Sequence, residues 1–375
     1  MTIRTEVLEA TLALIRASAN IPVATGGASS PRLTENFDWH GLVAFSSAHL
    51  VLPAMAQPVA DAAAAGAPVP DDLVQFLNGT AVANAARNRR LKSALCAIGR
   101  ALNEVGISPV VLKGGVFLLT DTDDAAGWRF MSDLDLLIPP ERLGESVRVL
   151  ERLGYRVAPT DYEPQTHAHF PPLWSPCGEF PVELHTRLFG LHSYGLDPAA
   201  VMDESVPTTR NGGPCLRVPS LRHRIAHLLA HAQLHNRNHA ARRLVLKDVL
   251  DLAKLPREDI HTFETQDMAG IFIVPAHRAA VESLLVAWRH TMDMPATTTP
   301  DARALAWASD SIGRLEWPRW RHLAQLPIDA LLMELHRLRH EPGHGARRAS
   351  LVANPARAMR NGRTWAFKQR QRLWS

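Results

Sequence analysis

The chain has 375 residues, 46% of them hydrophobic, with 41 Lys+Arg against 37 Asp+Glu. That is enough apolar material for a sizeable core and two or three structural units, and a net charge of +4 is too mild to mark a nucleic-acid binder by itself. No run of about 18 apolar residues occurs and the N-terminus does not read as a secretory leader, so neither a transmembrane helix nor a signal peptide is expected. Cys96, Cys177 and Cys215 are far apart and form no CxxC pair, which argues against a zinc knuckle or a disulfide framework and fits a reducing, cytoplasmic setting.

Residues 1 to about 105 read as helical. Leu91, Leu95, Ile98, Leu102 and Val105 recur at spacings of three and four, the mark of one helix face. The break AAAAGAPVPDD precedes that helix with Asp71 or Asp72 as its N-cap, and Gly106 is placed to end it. The pattern then shortens. PVVLKGG reads as a strand running into a glycine turn, VFLLT as the first turns of a helix, and SDLDLLIPP as a second strand stopped by prolines. ERLGESVRVLERLG predicts an amphipathic helix with Leu143, Val147, Leu150 and Leu153 on one side. YRVAP predicts a third strand, and a polar connection with His167 and His169 leads to a fourth, FPVELHTRL. Period-two alternation there puts Val182 and Leu184 on one face and Glu183 and His185 on the other. From about Ser220 helices return, in IAHLLAHAQLHN and RRLVLKDVLDLAKL. The plan is an α+β protein: a small mixed-sheet core over 106–195, helical regions over 1–105 and 196–345, and a basic tail over 346–375.

The central segment carries the chemistry. On a strand Asp133 and Asp135 share a face, and two carboxylates so close repel unless a cation lies between them. A hard divalent ion with oxygen ligands, most naturally Mg²⁺, answers that need, and Glu183 can add a third oxygen if its strand lies alongside. Gly114 and Gly115 let backbone amides approach an anion, at a turn that opens a helix. Lys113 at its mouth and Arg129, four residues before the acids, are placed to pair with phosphate, with Ser132 as a further nucleotide contact. Carboxylates for a metal beside a phosphate cradle imply nucleotidyl or phosphoryl transfer, with two metal ions as the common arrangement. The bland alternatives are a solvated strand end for the acids and ordinary ion pairs for Lys113 and Arg129.

LKGG, then RFMSDLDLLI, then VELH resembles the polymerase-β-like nucleotidyltransferase superfamily over roughly residues 106 to 190. It is most similar to a bacterial branch with an LKG motif, related to the nucleotidyltransferase toxins of abortive-infection systems. The resemblance implies that Asp133, Asp135 and Glu183 hold Mg²⁺ and that Gly114 and Gly115 lie by the phosphates of an NTP. It also implies matching roles for Arg129 before the acids and His185 after the third one. Val116 stands where the superfamily usually has a serine, and Asp121, Asp123 and Asp124 lengthen the spacer into an acidic loop. The acceptor of the NMP group is left open among RNA, protein and a small molecule. The rival reading is a retired nucleotidyltransferase fold serving as an adaptor or RNA-binding protein.

Three features lie outside that core. His223, His227, His231, His235 and His239 recur every four residues. They read as a polar helix face rather than a metal site, since no HExxH accompanies them. His231, His235 and, further on, Asp248 and Lys247 are candidates for the lining of the active-site cleft. The segment Ala346–Ser375 has eight Lys/Arg and no acid, with Trp365, Phe367 and Trp374 interleaved. It suits an anionic partner, although a solvated basic end is the commoner form of such a run.

Overall fold

A computed structural model describes residues 5–21, 33–121, 125–159, 168–190, 193–208, 213–295, 299–317 and a few positions between 321 and 329. The basic tail with its tryptophans, Asp123, Asp124 and His167 lie outside the described residues. Two compact units emerge: residues 1–78, 229–256 and 274–375 form one, and 79–228 with 257–273 form the other.

The first unit is helical among its described residues. Thr5–Ser18, Trp39–Ala48 and Ala56–Ala64 supply its N-terminal helices, and Leu246–Ala253, Pro275–Thr291 and Ala302–Gly313 its later ones. Pro275–Thr291 packs on both of its later neighbours and buries Leu284, Leu285 and Trp288. The expected RRLVLKDVLDLAKL helix is shorter than its sequence pattern and begins at Leu246, where Val245 is still extended.

The second unit holds a seven-stranded mixed sheet: β1 Val110–Val111, β2 Leu134–Leu137, β3 Arg156–Val157, β4 Leu173–Trp174, β5 Pro181–His185, β6 Val206–Pro207 and β7 Arg217–Val218. The strand order is β3-β4-β5-β2-β1-β7-β6, with β2–β5 and β1–β7 parallel and the other pairs antiparallel. The helix Asp71–Glu104 covers the sheet, and Leu91, Leu95, Ile98 and Leu102 are fully buried in one cluster with Val111, Leu134, Leu136, Val182 and Leu184. Gly106 ends that helix at φ +75°, a left-handed conformation that costs glycine little. Asn103 then ties the exit to two strands' approaches, donating to the Ile107 and Cys215 carbonyls and accepting from the Cys215 N–H.

Two expectations need correction. The helix after β2, Leu143–Arg152, buries Ser146, Val149 and Leu150 most deeply, while Leu143 and Val147 are only partly covered and Leu153 is 38% exposed. The sheet beneath it selects a face rotated from the one that the leucine spacing suggested. Strands β4, β6 and β7 were not read from the sequence. Each is two residues long, too short for an alternation to show, and each forms only because a neighbouring strand offers pairing. Pro207 sits on the edge strand β6, where a missing N–H costs no ladder bond.

Candidate active site

The site grows from the register of two strands. Because β2 and β5 run parallel, Asp135 stands opposite Glu183, and Leu137 opposite His185. Leu134, Leu136, Val182 and Leu184 go into the core, which leaves Asp135, Glu183 and His185 together on the other face. Asp133 immediately precedes β2 and is half-buried.

Asp135 is 3% exposed and is met by two nitrogens on a single oxygen: Lys113 Nζ at 2.6 Å and His185 Nε2 at 2.8 Å from Oδ1. Lys113 reaches it from the end of β1, where its backbone turns left-handed at φ +48° and the Leu112 N–H donates to the Asp135 carbonyl at 2.9 Å. Burial by itself would raise the Asp135 carboxyl; the Lys113 charge and the His185 hydrogen bond outweigh it and hold the group well below the usual carboxylate range. Burial likewise opposes charge on Lys113 and His185, and in both the neighbouring carboxylates win and raise the pKa. Asp133 goes the other way. Burial, together with the charge of Asp135, raises its carboxyl, with Lys113 only partly offsetting them.

His185 Nε2 also lies 3.4 Å from Glu183 Oε2, and His169 Nε2 lies 3.6 Å from that same oxygen. Residue 169 comes alongside through an isolated antiparallel bridge to residue 185, with ring centroids 5.1 Å apart. Burial lowers the His169 pKa. Among the described residues, Asp135, Glu183 and His185 form a group whose ligand atoms all lie within 4.8 Å of one another, close enough to surround a metal ion. Sequence reasoning named His169 only as part of a connection. The bridge that brings it in is a long-range pairing with no local signal.

The glycine turn has a tight lid. Gly114 and Gly115 are both buried, and a Cβ on Gly114 would stand 2.0 Å from Arg129 Nη1. The Arg129 guanidinium therefore lies over the turn, with its Cζ also 5.6 Å from the centre of the Phe117 ring. A Cβ on Gly115 would meet Val111 at 2.6 Å, so this second glycine permits the close approach of helix and strand. Val116 is buried in the interior. Ser132 is exposed, and its hydrogen bond favours the ionised form of Asp133.

The segment carrying Arg129 is held by the long helix. Asn84 Nδ2 donates to the Gly127 and Arg129 carbonyls, Asn88 Nδ2 to the Arg129 carbonyl, and Arg87 Nε to the Met131 carbonyl, all at 2.8–2.9 Å. These three positions carry no signal in the sequence beyond polar residues on a helix. Asp121 accepts from the Trp128 indole at 2.9 Å, so this member of the expected acidic loop serves to close the spacer.

His231, His235, Asp248 and Lys247 belong to the other compact unit. The His231 and His235 rings stack at 5.1 Å in a π-helical turn, His231–His235, and His239 lies beyond the helix, so the four-residue stripe does not run on one continuous α-helix. Asp248 and Asp251 share Lys247, at 2.7 and 3.2 Å.

A mixed sheet with acids on two adjacent strands, next to a lysine-glycine turn, is the arrangement of a nucleotidyltransferase core. The chain belongs to that class: the family model described as "Uncharacterised nucleotidyltransferase" matches residues 35–285, about two thirds of its length. No curated protein and no solved structure gives a match. Among the described residues no helix is long and apolar enough to cross a membrane.

Proposed function

We propose that the protein moves an NMP group from an NTP to an acceptor hydroxyl or phosphate with the help of Mg²⁺, at the cluster of Asp133, Asp135 and Glu183. The observation that carries this reading is the pairing of Asp135 with Glu183 across β2 and β5, beside Lys113. The donor set fits divalent ions: buried and half-buried carboxylates that already draw in the Lys113 ammonium and the His185 imidazole. When bound, such ions neutralise the triphosphate and favour in-line displacement at phosphorus.

The chain's own groups do the rest. Lys113, once released from Asp135, and Arg129 pair with the phosphates, over the turn of Gly114 and Gly115 and next to Ser132. Glu183 orients the acceptor and takes its proton. The acceptor oxygen forms a bond to the α-phosphorus, the bond from that phosphorus to the α–β bridging oxygen breaks, and pyrophosphate leaves. The basic tail is a candidate contact for an anionic acceptor such as RNA. A cytoplasmic location is part of the same proposal.

The test incubates the full chain and Mg²⁺ with each α-labelled NTP and with RNA, protein and small-molecule fractions, beside Asp133→Ala/Asp135→Ala. Label on an acceptor with release of pyrophosphate, lost in the variant, is the expected result. Release of a nucleoside diphosphate would replace nucleotidyl by phosphoryl transfer. Absence of NTP binding by calorimetry would leave an adaptor on this fold as the better account.

A further inference from the structure

Superfamily-type acids account for only part of the cluster, because an imidazole stands inside it. His185 is 2% exposed, and its two nitrogens face different partners. Nδ1 lies 3.3 Å from the Arg187 carbonyl, which can only accept, so Nδ1 carries a hydrogen. This leaves Nε2 to meet Asp135 at 2.8 Å and Glu183 at 3.4 Å. This ring nitrogen and the two carboxylates lie within 4.8 Å of one another, close enough for one divalent ion to take all three as ligands.

A backbone carbonyl on Nδ1 with Nε2 turned to carboxylates is the orientation by which proteins present imidazole to a metal. His169 repeats it: Nδ1 donates to the Phe170 carbonyl at 2.7 Å, and Nε2 faces Glu183. The two rings thus bring nitrogen toward the same Glu183 oxygen. Mg²⁺ favours an octahedral shell of oxygen and keeps several waters, whereas imidazole suits ions of the Mn²⁺, Co²⁺ and Zn²⁺ type.

The geometry points to a position at Asp135, Glu183 and His185 for a nitrogen-accepting divalent ion of the Mn²⁺ class, inward of Asp133. This deepens the metal-dependent reading above and rests on it. An ion held there would take the place of Lys113 at Asp135 and leave the ammonium to pair with phosphate.

The full-length protein, stripped of metal, is titrated with Mn²⁺ and separately with Mg²⁺. Pulsed electron paramagnetic resonance then reads the Mn²⁺ site in protein made with ¹⁴N- or ¹⁵N-histidine. The expected result is a histidine nitrogen coupling to Mn²⁺ that changes with the isotope. Mn²⁺ should also bind about tenfold or more tighter than Mg²⁺, and His185→Gln should remove both the coupling and that preference. The isotope comparison is made on the unaltered chain, so it decides the matter even where His185→Gln folds poorly. Mn²⁺ bound through oxygen alone would overturn the inner nitrogen site and leave the Mg²⁺ reading standing. Uptake of neither ion, with ATP present or absent, would overturn both.

Discussion

Asp133 and Asp135 are two residues apart, yet the structure predicts opposite effects on stability when each is made neutral. Asp135 is buried and carries two donors on one oxygen, Lys113 Nζ at 2.6 Å and His185 Nε2 at 2.8 Å. Asp135→Asn removes the charge that the Lys113 ammonium and the His185 imidazole answer. Breaking a buried pair by removing one partner costs about 3–5 kcal/mol where the other charge is sealed in. The Lys113 side chain is 24% exposed and can recover some hydration, so the expected loss lies nearer about 2–3 kcal/mol. Asp133 is held among like charges, and burial together with Asp135 raises its carboxyl. A raised folded pKa contributes stability only while the group is protonated, and that contribution is lost as pH rises through its titration. At neutral pH the Asp133 charge therefore works against the fold, and Asp133→Asn should leave the metal-free protein as stable or make it more so. Urea unfolding in the presence of chelator, at pH 7 and again at pH 4, reads both signs. The advantage of Asp133→Asn should shrink at the lower pH, and both variants should fail to transfer label. A stable Asp135→Asn beside an unstable Asp133→Asn would show that Lys113 and His185 do not compensate Asp135 as described.

Three further outcomes are expected. Gly114→Ala puts a methyl 2.0 Å from the Arg129 guanidinium, the mobile end of a side chain, so the fold should survive while NTP affinity falls by about tenfold, read by calorimetry beside circular dichroism. Gly195→Ala combines φ +86° with a Cβ 1.8 Å from the Ile271 carbonyl oxygen; a loss of about 2 kcal/mol or more in denaturant is expected, and a neutral result would contradict the close approach. His49 is kept neutral, pushed down to about 3 by burial and then by Arg243 and His322, while its Nδ1 accepts from the Leu246 N–H. A depressed folded pKa means that its stabilisation is present above the unfolded value near 6.5 and lost as pH falls toward about 3, up to roughly 5 kcal/mol in all. An NMR titration showing His49 protonating near 6.5 in the folded protein would refute this.

Much of the local structure is legible in the chain. The stripe Leu91, Leu95, Ile98, Leu102 marks a helix because 3.6-residue periodicity is a property of neighbours in sequence. The same holds for the alternation in VELH, which sets Glu183 apart from Val182 and Leu184 before any fold is known. The lysine-glycine turn and the spaced acids likewise stand out as types in order, and the family match agrees with them.

What sequence by itself determined, then, was the residue types, the short elements and the class of chemistry. Only the tertiary structure decided which groups meet. The opposition of Asp135 and Glu183 depends on β5 lying parallel to β2, a pairing across nearly fifty residues. His169 enters through a bridge to residue 185, Arg129 settles over Gly114, and Asn84, Arg87 and Asn88 hold its segment from a helix that precedes it by some forty residues. Such contacts are non-local. They arise when burial of one face of the sheet brings distant polar groups together on the other, and no window of neighbouring residues contains that information.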